Sequence, residues 1–198
     1  IFAQGTFHIN DRLDTTFGAR WTNDEKTGSF EQQLNNPFAA IFRSPESTPD
    51  LKVDESKVTW LANVRYQFND DVMGFFTAST GFKSGGFNSQ GTLVALGDRR
   101  TFANETTENL EVGIKSSFFN KALTANVTLY QTDIKDFQSR SFDGLSFVTT
   151  NAGELRQKGV EIDFKYAATD NVNFSGGLGT LDSEFLSYPN GSGLPGGA

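Results

Sequence analysis

Cysteine is absent from this chain of 198 residues, and histidine occurs once, as His8. Disulfides and thiolate metal sites are thereby excluded, and a histidine-based metal or nucleophile-activating site lacks its second member. Basic residues are too few to favour nucleic acid. The 17 Lys and Arg stand against 24 Asp and Glu, for a net charge of −7, whereas phosphate neutralisation needs a basic face. No apolar run approaches the ~18 residues of a membrane-spanning helix. The opening residues IFAQGTFHIN lack the charged start and apolar run of a signal peptide. Proline is also scarce, at 5 residues, and with 13% aromatics the composition is not that of a disordered chain. The mean hydropathy of −0.40 leaves one membrane architecture open. In a transmembrane barrel only alternate residues face lipid, so the average stays polar.

What the chain does have is 20 Phe, 20 Gly and a recurring period of two, the signature of strands with one apolar face. Val58, Trp60, Ala62, Val64, Tyr66 and Phe68 share a face opposite Thr59, Asn63, Arg65 and Gln67, with Leu61 the apolar exception. Val160, Ile162, Phe164 and Tyr166 oppose Glu161, Asp163 and Lys165. Similar splits run through 13–22, 110–118, 123–130 and 172–178. A weaker strand covers the first nine residues, and 72–82 is apolar on both faces. The expectation is eight strands in an all-β, antiparallel architecture.

The connections alternate in length. Asn10-Asp11, Asn69-Asp70-Asp71, Asn120-Lys121 and Thr169-Asp170-Asn171 read as tight turns of residues that tolerate hairpin backbone angles. Between them, about 25–55, 83–105, 139–152 and 187 onward read as long links. Short turns at one end and long loops at the other, with strands of roughly 9–13 residues, match a transmembrane β-barrel. Trp21 and Trp60 then fall near the loop-side interface, and Tyr66 and Tyr166 near the turn side, as aromatic girdles do.

Sharper motifs give way to blander readings. In TGFKSGGFN (80–88), Lys83-Ser84 follows Phe82, where a phosphate-binding loop requires glycine. The stretch Asn23–Gly28 starts like a calcium loop but has Leu34 at its twelfth position, where a bidentate Glu is needed. The pairs Glu105/Glu108 and Asp133/Asp136 are spaced by three, which puts strand residues on opposite faces. His8 shares a polar face with Gln4 and Thr6. No enzymatic site, resident cofactor or metal site emerges. The inward charges include Arg20, Arg65, Lys115 and Glu161, and a barrel interior must hydrate or pair them.

Four segments resemble the TonB-dependent outer-membrane receptors, siderophore-receptor branch. They are GFKSGGFN at 81–88, the hairpin at 6–26 ending Gly18-Ala19-Arg20-Trp21-Thr22, ETTENLEVGIKSSFFNKALTANVTLYQTDIKDFQ at 105–138, and TTNAGELRQKGVEIDFKY at 149–166. The resemblance implies a barrel of 22 strands around an N-terminal plug, uptake of a ferric siderophore or similar iron chelate, and energy from TonB. It also implies the outer membrane of a Gram-negative bacterium, with its lipid and lipopolysaccharide, as the surroundings. Nothing in the sequence resembles the plug, the TonB-contacting box or the aromatic C-terminal residue of such barrels, so residues 1–198 are expected to be part of a longer receptor. On charge and loop position, Arg43, Lys83, Phe87, Arg99 and Arg100 are the expected ligand contacts. Arg20, Arg65, Lys115 and Glu161 are expected to face the lumen and plug. Haem, cobalamin and glycans stay open as ligands. A self-contained eight-stranded barrel and a soluble β-rich binding domain stay open as alternatives.

Overall fold

In the computed structural model, residues 1–41, 45–88, 100–142 and 147–189 are described. Eight of the strands form one antiparallel sheet in chain order. They are β1 (Phe2–Asn10), β2 (Leu13–Gln32), β3 (Glu46–Asn69), β4 (Val72–Lys83), β7 (Glu105–Phe118), β8 (Leu123–Lys135), β11 (Glu154–Thr169) and β12 (Val172–Ser187). Two short ladders stand outside it: β5 (Gly86–Phe87) with β6 (Thr101–Phe102), and β9 (Gln138–Phe142) with β10 (Phe147–Asn151). Among the described residues the single helical element is a 3-10 turn over Pro37–Ile41. β1 and β12 lie at opposite edges and do not pair with each other. The sheet is therefore open, as a sector of a larger barrel is, rather than closed on its own eight strands.

The tight turns form where local side chains can bond the chain reversal. Asn10 Oδ1 accepts the backbone N–H groups of Arg12 and Leu13, both at 2.9 Å, and Asn69 Oδ1 accepts that of Asp71 at 2.9 Å. Phe119, Asn120 and Lys121 hold φ of 55°, 54° and 69° between β7 and β8, the left-handed region that Asn tolerates best.

Three of the expected long links are shorter than the sequence suggests. The link over 25–55 is largely strand, with a β2–β3 ladder continuing out to Gln32↔Glu46. Apolar alternation fails in this part because polar cross-strand pairs hold it instead. Lys52 Nζ sits 2.9 Å from Glu25 Oε1, and Ser56 Oγ donates to Asn23 at 2.6 Å. The links over 83–105 and 139–152 each carry one of the short ladders. Strand lengths in the eight-stranded sheet accordingly run from 9 to 24 residues instead of the expected 9–13.

Register fixes the faces, including that of the ambiguous β4. Phe76 pairs with Val64 and Ala78 with Ala62 on the apolar face; Phe75 pairs with Arg65 and Thr77 with Asn63 on the polar one. The apolar face has no cover within the chain. Phe17 is 55% exposed, Val58 64% and Phe174 55%, while among the described residues only Val148, Ala152 and Leu155 are buried and apolar. A continuous apolar sheet face of this extent needs a partner. The segment Val58–Phe68 matches the roughly 9–11 residues a tilted strand uses to cross a bilayer.

Candidate functional site

The polar face is concave. A hollow of about 830 Å³ is bounded by strands β3, β4, β7, β8 and β11, with Arg65, Glu111, Lys115, Glu161 and Asp163 among its lining. One register row crosses it as Asp14↔Arg65↔Phe75↔Gly113↔Thr128↔Glu161. Arg65 donates through Nε to Asp14 Oδ2 at 3.1 Å and also through Nη2, and Asp14 in turn meets His8 Nδ1 at 2.5 Å. The lone histidine is thus a member of a lumen network. Lys115 lies 5.6 Å from the Phe75 ring centroid. Among the described residues neither Lys115 nor Glu161 forms an ion pair. The structure therefore brings Arg65, Lys115 and Glu161 together. Arg20 sits apart, paired with Thr59 nearer the loop end.

TGFKSGGFN leaves the sheet at Lys83 and becomes a latch against the long β2–β3 hairpin. Lys26 Nζ donates to Ser84 Oγ at 3.0 Å and to the Gly85 carbonyl at 2.7 Å. Glu55 accepts the Ser84 hydroxyl and the Gly85 N–H, both at 3.1 Å, and Asn104 Nδ2 at 3.3 Å. A Cβ on Gly85 would lie 2.3 Å from the Phe102 carbonyl oxygen, so glycine is needed for close approach. Gln138 Nε2 donates to the carbonyls of Ser84 at 3.1 Å and Ala103 at 3.0 Å, and Glu105 receives the Gln138 N–H at 2.7 Å. Asn88 continues the tie to β10, accepting the Thr149 N–H at 2.8 Å and donating to its carbonyl at 3.0 Å.

The expected ligand contacts fall in different places. Lys83 is exposed, opposite Glu105 in register. Phe87 packs against Gly28, where a Cβ would meet its ring at 3.5 Å. Arg100 is only 4% exposed; its guanidinium lies 3.7 Å from the Phe30 ring centroid, and Nη2 is 2.6 Å from Glu46 Oε1. Phe87 and Arg100 therefore belong to the latch, and Lys83 marks its exposed start. Arg43 and Arg99 lie outside the described residues.

Toward the loop end the two faces exchange polarity, which the periodic reading missed. Outward, Val160 gives way to Lys158 and Arg156, Leu129 to Gln131 and Asp133, and Leu110 to Glu108. These groups neutralise one another: Arg156 holds Asp133 at 2.6 and 2.9 Å, and Lys135 Nζ lies 3.0 Å from Glu108. The hydrogen bonds from Arg156 keep the Asp133 carboxyl below its ordinary pKa. Inward, the charged rows are interrupted by one row of Thr107, Ile134, Leu155 and Phe185, beyond which Lys83 stands opposite Glu105. Phe185 meets Phe137 edge-on at 5.9 Å and Tyr188 at a tilt at 4.6 Å between ring centroids. The signal was present in the sequence, since Leu155 before the even run Val160–Leu178, and Leu181 and Phe185 after it, take odd positions.

An open antiparallel sheet with an apolar outer face, a charged concave inner face and loops sorted by end defines a sector of a transmembrane β-barrel wall. The chain belongs to the TonB-dependent receptors: residues 1–196 match the family described as TonB dependent receptor-like, beta-barrel. The pesticin receptor of Yersinia pestis is 26% identical over 185 residues, covering 91% of this chain and 25% of that protein. The ferrichrome outer membrane transporter/phage receptor of Escherichia coli K12 is 27% identical over 134 residues, covering 68% of this chain and 17% of that protein. Among solved structures, the ferric yersiniabactin uptake receptor of Yersinia pestis superposes with a TM-score of 0.75 at 23% identity, covering 93% of this chain and 26% of that one. A siderophore receptor of Acinetobacter baumannii gives 0.71 at 19% identity, covering 94% and 25%. The chain thus spans about a quarter of the length of its first curated relative. The family and these relatives are receptors and transporters, not enzymes.

Proposed function

We propose that this chain is part of the barrel wall of an outer-membrane receptor that takes up a ferric siderophore or similar iron chelate, using energy delivered by TonB. The observation that carries the reading is the charged concave face, on which Lys115 and Glu161 face the hollow without an ion pair among the described residues. Charges held there need water or a protein partner, and a plug inside the barrel supplies both. Family membership supports that arrangement, and the names of the relatives, which include receptors for ferric chelates, support the ligand class.

In this reading the lipid and lipopolysaccharide of a Gram-negative outer membrane cover the apolar face, and chelate enters from the loop end. Binding there involves the rim near Lys83, with Arg43 and Arg99 as further candidate contacts on charge alone. Phe87 and Arg100 act through the latch, shaping the rim instead of touching ligand. TonB acts on the plug, and displacement of the plug from the charged wall opens the path inward. The test is growth of a receptor-deletion strain carrying the intact receptor, with defined iron chelates as sole iron source. Rescue by at least one ferric chelate that is lost on deleting TonB is expected; rescue by none contradicts the reading.

A further inference from the structure

The β9–β10 hairpin leaves the sheet at a sharp bend. Asp136 and Gly153, on either side of its base, hold φ of 55° and 113°, and Phe137 and Ala152 close the base through backbone hydrogen bonds of 2.9 and 2.8 Å. A Cβ on Gly153 would lie 2.2 Å from the Ser187 carbonyl oxygen, so the bend sets the hairpin against the end of β12. There Phe137 meets Phe185, which shares the inward row of Leu155 and Ile134. The hairpin is therefore bent toward the lumen side of the wall.

Both of its faces are engaged. Side chains alternate across the ladder, and register puts Gln138 and Asn151 on one face, and Ser139, Ser141, Val148 and Thr150 on the other. On the first face Gln138 donates to the Ser84 and Ala103 carbonyls, and Asn151 binds the Ala103 backbone, accepting its N–H at 2.8 Å and donating to its carbonyl at 3.0 Å. On the second, Val148 is 1% exposed and Ser139 Oγ lies 3.2 Å from the Tyr188 hydroxyl. Asn88 adds a third tie by closing on both backbone groups of Thr149. A hinged lid needs a face that parts from its neighbours without loss. Here, swinging the hairpin out breaks these hydrogen bonds together and wets Val148, Ala152 and Leu155, the buried apolar residues of the described chain. Partial opening leaves buried Asn88 and Gln138 without their partners, so the opening is all-or-none.

We infer that the β9–β10 hairpin is a fixed strap on the lumen side of the loop end, not a mobile lid, and that it opens only together with the β4–β7 connection to which it is tied. Whatever enters the lumen passes beside the strap and does not displace it. The strap acts this way for any cargo, independently of the uptake reading above.

The experiment uses the intact receptor in lipid vesicles, with any cysteines elsewhere replaced and spin labels on Glu108→Cys in the sheet and Arg140→Cys on the hairpin. Pulsed dipolar spectroscopy should give one narrow distance distribution; a broad or two-peaked one overturns the strap. Hydrogen exchange then compares unlabelled wild type with Asn88→Ala/Asn151→Ala. Amides in 138–142 and 147–151 should rise by at least about 10-fold, and those in 84–88 and 100–104 by the same factor. A rise confined to one of the two groups, or none in either, overturns the joint opening. Heat-modifiable mobility on gels checks that the variant is folded, and the wild-type distance distribution decides for or against the strap even where it is not. The growth test above bears on uptake alone, so failure of one reading is told from failure of the other.

Discussion

Removing the Glu55 carboxylate opens the rim latch without unfolding the sheet. In Glu55→Ala, Lys26 still holds Ser84 and the Gly85 carbonyl, but the Gly85 N–H, the Ser84 hydroxyl and Asn104 lose their shared acceptor. Gly85 is buried, so its N–H has no easy replacement in water. An unsatisfied buried donor costs about 1–3 kcal/mol, and the half-buried position of Glu55 argues for the lower half of that range. A local opening made easier by ~1.4 kcal/mol speeds amide exchange about 10-fold. The assay is hydrogen exchange on the intact receptor, resolved by peptide. Amides in 84–88 and 100–105 should exchange about 10-fold faster, with the β7–β8 ladder unchanged. Glu55→Gln keeps an acceptor oxygen and should fall between. Unchanged exchange in 84–105, or an equal rise throughout the sheet, refutes the latch.

Gly85→Ala should have a larger effect on the same amides, because its Cβ meets backbone at 2.3 Å and the neighbouring chain must shift. Ile162→Arg on the apolar face should lower stability by roughly 2–4 kcal/mol in lipid, whereas Thr128→Arg on the lumen face should leave assembly intact; urea titration of receptor in vesicles separates them. Asp133→Asn should cost no more than ~1 kcal/mol, as expected for a surface pair that is only partly covered. Its sign follows from the lowered Asp133 pKa. That contribution is present above the ordinary carboxylate value and is lost as pH falls through the lowered one, so variant and wild type should converge only in strong acid.

Much of the wall is legible in the sequence because one physical constraint, an apolar face outside and a polar face inside, repeats every second residue. Val160–Tyr166 can be read directly, as can the Asn-bearing turns. The register settles what the residues alone leave open in β4, where Phe75 and Phe76 look alike until Arg65 and Val64 are set beside them. The extended β2–β3 hairpin is hidden because its ladder lies beyond the apolar band, and Pro49 with Asp50 at φ 56° reads as loop. The latch is hidden for another reason: Lys26 and Ser84 are 58 residues apart, and no local pattern announces such a contact. Arg100 reads as a loop cation in the sequence, and its burial against Phe30 depends on the same long-range fold.

In the proposed arrangement one face of this sheet meets lipid, the other meets the lumen, and the two differ in polarity at the loop end. The chain has no native cysteine, which suits single-cysteine spin labelling along β11 in the intact receptor, with any cysteines elsewhere replaced. Collision with oxygen, which favours lipid, should exceed that with a water-soluble nickel chelate at 160, 162, 164 and 166. The ratio should reverse at 161, 163 and 165, and positions 156 and 158 should be water-exposed despite sharing the outer face. Loss of the two-residue period across 160–166, or lipid exposure at 156 and 158, contradicts the account.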